Sequence, residues 1–199
     1  MKTAFLIDGF NFYHSIKQLS DQLLWFDYDA YCRHFMRSSD ILHSITYFTS
    51  LAFWRKEAVK RHQMFIQACE AKGISIVLGK FKDKPSTCPH CRQDILRHEE
   101  KATDVNIALS AYRCATHGVE QIILVTGDTD LAPAIRLIKN DFPKTKVGLL
   151  FPYRRDNREL EKEADFHHKT RKDILPSFRL PEQIQKPNGK LITCPPQWK

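Results

Sequence analysis

The apolar residues of this chain gather into short strand-length runs, separated by stretches of helical period. Residues 3–7 form a compact apolar run that stops at Asp8-Gly9. Residues 11–19 follow, with Phe12, Ile16 and Leu19 at helical spacing. Asp29 is placed to cap a helix carrying Tyr31, Cys32, Phe35 and Met36. Residues 41–53 alternate and are rich in Ile, Thr, Tyr and Phe, which predicts a strand. Residues 55–72 have the spacing of a long amphipathic helix ending at Gly73, and residues 74–78 read as a strand. A polar, Pro-containing loop over 80–98 precedes a helix over 99–117. The most hydrophobic run, Gln121–Val125, then leads into Thr126-Gly127-Asp128-Thr129-Asp130. A helix over 131–140, a strand over Lys146–Phe151 and a helix over 157–168 complete the pattern. Five strands alternating with helices need crossover connections. The expected class is a doubly wound α/β fold: a mainly parallel five-stranded sheet with helices on both faces.

Composition narrows the setting. In 199 residues, 42% are hydrophobic, enough for a substantial core. No run of about 18 apolar residues occurs, so no membrane-spanning helix is expected. The N-terminal apolar stretch meets Asp8 too early for an export signal, and a cytoplasmic location is expected. In that setting six cysteines do not suggest a disulfide framework; Cys32, Cys69 and Cys114 sit among apolar helical neighbours. The net charge of +8 is unevenly spread, with +1 over residues 1–135 and +7 over residues 136–199. Such a basic portion suits a polyanion, or simply a solvated tail.

The acids carry more information. In open α/β sheets, functional groups collect beyond the carboxyl ends of the strands where the strand order reverses. Asp8 ends the first strand, and Asp128 and Asp130 follow the fourth. Asp104 begins the preceding helix, with Glu100 one turn earlier. If the first and fourth strands are neighbours, these carboxylates converge, and Mg²⁺ or Mn²⁺ is the natural charge compensation for such a cluster. An ion there polarises a phosphoryl oxygen and acidifies an attacking water. Neither Gly9 nor Gly127 opens a dinucleotide or P-loop fingerprint, and no nucleophile elbow is present.

Three segments together, Ile7-Asp8-Gly9-Phe10-Asn11, Glu100-Lys101-Ala102-Thr103-Asp104-Val105 and Val125-Thr126-Gly127-Asp128-Thr129-Asp130, resemble the signatures of the NYN domain family (LabA-like). That family lies within the PIN-like nuclease superfamily. Leu160–Phe166, with Ala164-Asp165-Phe166, resembles its later helix, so the likeness spans roughly residues 1–168. It implies a PIN-like fold and a metal-dependent endoribonuclease that hydrolyses RNA phosphodiesters. Asp8, Asp104, Asp128 and Asp130 would be its acidic, metal-holding cluster, with Asn11 and Thr126 orienting substrate or water. Two departures are mild: Ala102 stands where a glycine is common, and Leu131 where an aromatic is.

The remaining candidates surround that cluster. Arg154, Arg155 and Arg158 follow the fifth strand and suit phosphate binding, and Tyr13 suits stacking on a base. Single-stranded RNA is the favoured partner, because a rigid duplex enters a carboxylate crevice poorly. A homodimer is compatible with the sequence. Cys88-x2-Cys91 reads either as half of a structural Zn²⁺ knuckle with His98, its fourth ligand unassigned, or as two loop thiols. His98 has a second reading, at the crevice near Glu99 and Glu100. The layout is thus a domain over residues 1–173, containing the cysteine loop 80–98, and a Pro-rich extension over 174–199 packed on it or trailing from it. The rival functions are a non-catalytic RNA-binding module on the same fold and a metal-dependent phosphatase.

Overall fold

A strand apolar on both faces needs cover on both sides, and the first strand is of this kind. The computed structural model describes residues 1–87 and 90–199. The first half of the chain forms β1 (Lys2–Asp8), α1 (Gly9–Lys17), α2 (Tyr28–His34), β2 (Ile41–Thr49), α3 (Lys56–Ala71), β3 (Ser75–Leu78), β4 (Lys80–Thr87) and β5 (Asp94–Lys101). The second half forms α4 (Thr103–Thr116), β6 (Gln121–Val125), α5 (Ala132–Asp141), β7 (Lys146–Phe151), α6 (Arg158–Glu163), β8 (Phe166–Lys169), β9 (Gln183–Gln185) and β10 (Leu191–Thr193).

The central sheet has the order β3-β2-β1-β6-β7-β8, and every neighbouring pair is parallel. The chain builds outward from β1 in one direction, then returns to lay β6 against the other side of β1. The strand order therefore reverses between β1 and β6, where Ile7 pairs with Val125. Side chains alternate across the sheet. Phe5 and Ile7 join Phe12, Trp25, Phe26, Tyr31 and Phe65 on one face. Ala4 and Leu6 join Ile107, Ala111, Ile135 and Leu160 on the other.

The fold class is as expected, but the sheet has six strands rather than five. The helix expected over 157–168 stops at Glu163, and Phe166–Lys169 runs as an edge strand along β7. Asp165 makes the change of period possible: its backbone N–H donates to the Val147 carbonyl, and its carboxylate accepts from the Val147 N–H at 2.8 Å. Gly148 leaves room for the Phe166 ring, which a Cβ would overlap. The expected 80–98 loop is a second departure. It is mostly an antiparallel ribbon, β4 paired with β5 from Lys80–Lys101 to Thr87–Asp94. Glu99, Glu100 and Lys101 thereby belong to a strand, and the helix begins only at Thr103. Neither face of the ribbon carries a run of buried apolar residues, so no hydrophobic alternation betrays it. Pro85 is tolerated because each strand of a two-stranded ribbon has a free edge.

The Pro-rich segment beyond Ile174 adds apolar groups to the core shared by α1, α2 and α3. Leu175, Phe178, Leu180, Ile184, Ile192 and Cys194 are all buried there. Backbone hydrogen bonds fix it: Asp27 N–H donates to the Phe178 carbonyl at 2.6 Å, and Leu180 N–H to Trp25 at 2.9 Å. The Trp25 indole donates to the Pro181 carbonyl at 2.8 Å. Among the described residues, no helix is long and apolar enough to cross a membrane. Phe178 is 7% exposed, so Phe178→Ala is expected to lower unfolding free energy by about 3 kcal/mol in urea titration. A change near zero would mean that the segment does not contribute to the fold.

Candidate metal centre

The site begins with the β1–β6 pairing, which brings the carboxyl ends of the two strands side by side. Asp8 is the last residue of β1 and caps α1, its Oδ1 accepting from the Asn11 N–H at 3.0 Å. Its Oδ2 accepts from the Thr126 hydroxyl at 2.9 Å, just past the end of β6. That hydroxyl oxygen in turn accepts from the Asp128 N–H at 3.1 Å. The Asn11 side-chain oxygen accepts from the Gly127 N–H at 3.1 Å, tying the two strand-to-helix turns together. Gly127 must be glycine for a local reason: a Cβ would overlap the Arg155 carbonyl oxygen, which lies against this turn.

Asp104 enters from the first turn of α4. Ala102, which precedes the helix, has φ 78°, a left-handed conformation that favours glycine. It supplies no side-chain cap; instead Glu100 Oε1 accepts from the Thr103 N–H and hydroxyl and from Ser50. Glu100 thus acts from the end of β5, and it is committed to positioning the helix that carries Asp104.

Asp8, Asp104 and Asp128 each present an oxygen within 4.8 Å of the others, the one such group of three among the described residues. Burial pushes the Asp8 carboxyl up, against the lowering effect of its hydrogen bonds, and Asp128 adds to the rise. Asp104 is pushed up to about 6, by desolvation first and then by the charges of Asp128, Asp8, Glu100 and Asp130. The donor set is all hard oxygen and crowded with negative charge. Among the residues lining the crevice, the permanent cation is Arg155. Those features fit a divalent cation of the Mg²⁺ or Mn²⁺ kind.

The other expected residues fall in different places. Asp130 is exposed at the rim and outside the trio; its N–H donates to Asp128 at 3.0 Å. Arg155 lines the crevice, whereas Arg154 stacks over Tyr153 at 5.2 Å and lines a neighbouring pocket that Arg155 also borders. Arg158 is exposed at the start of α6, and Tyr13 is exposed on α1 away from the crevice lining. Of its two readings, His98 takes the crevice: it lines that space and its Nδ1 lies 2.7 Å from Asp83. It stands four residues along β5 from Asp94, about 14 Å of strand, while the exposed Cys91 belongs to the turn. Cys88 lies outside the described residues. Sequence reasoning missed His14 and Phe81, which also line the crevice of about 390 Å³.

The NYN domain family profile matches residues 2–171. A crystal structure of a protein of unknown function from Vibrio parahaemolyticus superimposes with a TM-score of 0.58. It is 21% identical, over 86% of this chain and 94% of that one, and supports the fold. The chain is also 33% identical over 124 residues to the Pseudomonas putida 6-hydroxy-3-succinoylpyridine 3-monooxygenase HspA. That likeness covers 58% of this chain but 39% of the relative's length.

Two outcomes follow from the strain and charge at this site. Replacing Ala102 with Gly is expected to raise unfolding free energy by roughly 0.5–1 kcal/mol, relief of left-handed strain exceeding the added chain entropy. An equal loss would show that Ala102 does not adopt that conformation. For Asp104, the folded-state value of about 6 lies above the ordinary 3.8, so the folded protein binds the proton more tightly. Without metal, stability therefore falls as pH rises from about 4 through about 6 and stays reduced above. Asp104→Asn should flatten that fall and raise stability at pH 7.5 by about 1 kcal/mol, after discounting for half-exposure. Thermal melts across pH in EDTA read both effects; a lower Tm for the variant at pH 7.5 would contradict them.

Proposed function

The chain belongs to the NYN domain family, a family of PIN-like nucleases, and from that premise we propose that it is a divalent-metal-dependent endoribonuclease. The observation that carries the proposal is the meeting of Asp8, Asp104 and Asp128 where the strand order reverses. These three would hold Mg²⁺ or Mn²⁺, which when bound supplies charge compensation for the phosphodiester and acidifies the attacking water. The protein's own groups do the positioning. Thr126 and the Asn11 N–H fix both oxygens of Asp8, leaving its remaining lone pairs to face the crevice. Asn11 locks the Asp8 turn to the Asp128 turn, so the two carboxylates move as one unit. Arg155, held by the close approach of its backbone to Gly127, offers a fork for a non-bridging phosphate oxygen. Asp130, at the rim, adds to the negative field over Asp104.

The test uses labelled single-stranded RNA, duplex RNA, DNA and a generic phosphomonoester, each with Mn²⁺ or EDTA. Internal cuts in RNA are expected with Mn²⁺ and not with EDTA, and Asp128→Asn should slow them by at least about 100-fold. Binding without metal-dependent cutting would instead identify an RNA-binding module, and turnover of the monoester alone a phosphatase. A monooxygenase reading rests on the name of the Pseudomonas putida relative. Oxygenation of 6-hydroxy-3-succinoylpyridine by this chain, with RNA left intact, would favour it.

A further inference from the structure

The crevice has an aromatic rim that none of the three acidic segments contains. Trp54 lies in the loop that follows β2, and β4 begins just after β3, so both segments leave the same carboxyl edge of the sheet as Asp8. Across that edge the rings of Trp54 and His98 are stacked, with centroids 3.7 Å apart and planes 17° apart. Phe81 meets Trp54 edge-on at 4.7 Å and Phe10 at 5.7 Å, carrying the aromatic surface from the rim to the carboxylates. Phe10, Phe81 and His98 line the crevice itself. Despite these contacts Trp54 remains 41% exposed, and neighbouring Phe53 is 70% exposed. Large rings left in water beside a charged crevice are costly unless something covers them.

The ribbon is sorted by face. In its register Phe81 opposes Glu100 and Asp83 opposes His98, which puts these four on the crevice side. The other side presents Lys80 opposite Lys101, Lys82 opposite Glu99 and Lys84 opposite Arg97. Glu99 is shared between Lys84 and Lys101, at 2.8 and 3.1 Å, so one acid serves two of five cations. Asp83 acts separately, its carboxylate holding His98 Nδ1 at 2.7 Å and so pinning the imidazole flat against the indole. A ring fixed in this way loses little freedom when a further ring stacks on it.

We propose that the Trp54–His98–Phe81 stack seats an unpaired nucleobase next to the phosphodiester held in the crevice, so that the site takes single-stranded RNA, with Arg155 in the same crevice holding an adjoining phosphate. The proposal rests on the nuclease reading for what happens to that phosphodiester, but base seating is a binding property and is measured without turnover. Three features favour a nucleic-acid strand as occupant. The rim is aromatic and partly exposed, it is continuous with the crevice, and Arg155 stands in that crevice as a ligand for phosphate. A duplex hides its base faces and fits none of the stacking surface.

The test uses the full chain carrying Asp128→Asn in EDTA, so that no cutting interferes. Fluorescein-labelled eight-nucleotide single strands of RNA and DNA, and the same RNA as a duplex, are titrated by anisotropy against that protein and against Asp128→Asn/Trp54→Leu. The expected result is preference for single strands and a loss of roughly tenfold or more on removing the indole, with Trp54→Phe largely restoring binding. Intrinsic fluorescence gives a second readout that needs no Trp54 substitution to fold. Trp25 is fully buried and Trp198 packs against it, so quenching by a single strand is expected to come from Trp54. Unchanged affinity in Trp54→Leu with unquenched fluorescence overturns the proposal, as does duplex binding equal to single-strand binding. A dimer that Trp54→Leu converts to monomer, with RNA affinity unaltered, also overturns it by making the rim a self-contact. Trp54-dependent binding by a protein that cuts nothing with Mn²⁺ leaves this proposal standing and removes the nuclease reading; cutting that ignores Trp54 does the reverse.

Discussion

Everything at this site depends on forcing like charges together. Three carboxylates with oxygens within 4.8 Å repel one another, and the protein alone does little to relieve them. The pairing of β1 with β6 sets the frame. It is buried on both faces, and its register of Ile7 with Val125 delivers Asp8 and Thr126 to adjoining positions. Hydrogen bonds from Thr126 and Asn11 then hold Asp8 and the Asp128 turn in place. Burial first, and the neighbouring carboxylates after it, raise the Asp8 and Asp104 carboxyls. Core packing imposes the strain, and a divalent cation is the partner that would release it.

Around this centre the same topology recruits different chemistry. Segments leaving β2 and β3 supply Trp54 and the β4–β5 ribbon, while the segment leaving β7 supplies Arg154 and Arg155. The Trp54–His98 stack and Phe81 therefore reach the acidic crevice from the β2–β3 side and Arg155 from the β7 side, an arrangement that would suit the bases and phosphates of the proposed nucleic-acid strand. The C-terminal segment has no part in that arrangement. It packs beneath Trp25 and Phe26, completing the core on one face of the sheet.

The central part of this layout is legible in the sequence because it obeys strong local rules. The runs ending at Asp8 and at Thr126 are short, apolar and terminated by Gly-Asp chemistry, so their strand ends are plain even without knowing their neighbours. The β1–β6 adjacency then follows from the usual winding of α/β sheets. What is not legible lacks hydrophobic period. The β4–β5 ribbon buries no apolar run on either side, and residues such as Lys82, Asp83 and His98 look like loop residues until the ladder is seen. Trp54 falls between the strand expected over 41–53 and the helix expected over 55–72, yet β2 stops at Thr49, and its meeting with His98 joins residues 44 positions apart. Phe166 falls within the helix expected over 157–168, but pairing with Gly148 draws it into the sheet.

Direct measurement of cation binding tests the central claim most closely, because it does not depend on knowing the RNA. Titration of the metal-free protein with Mn²⁺ at pH 7.5, followed by calorimetry and by the loss of free Mn²⁺ spectral intensity, should show saturable binding at the carboxylate trio. That binding should weaken as the pH falls below about 6, where Asp104 takes up its proton, and should be lost in Asp8→Asn. Failure to bind Mn²⁺ at millimolar concentration, or equal binding by Asp8→Asn, would contradict the account.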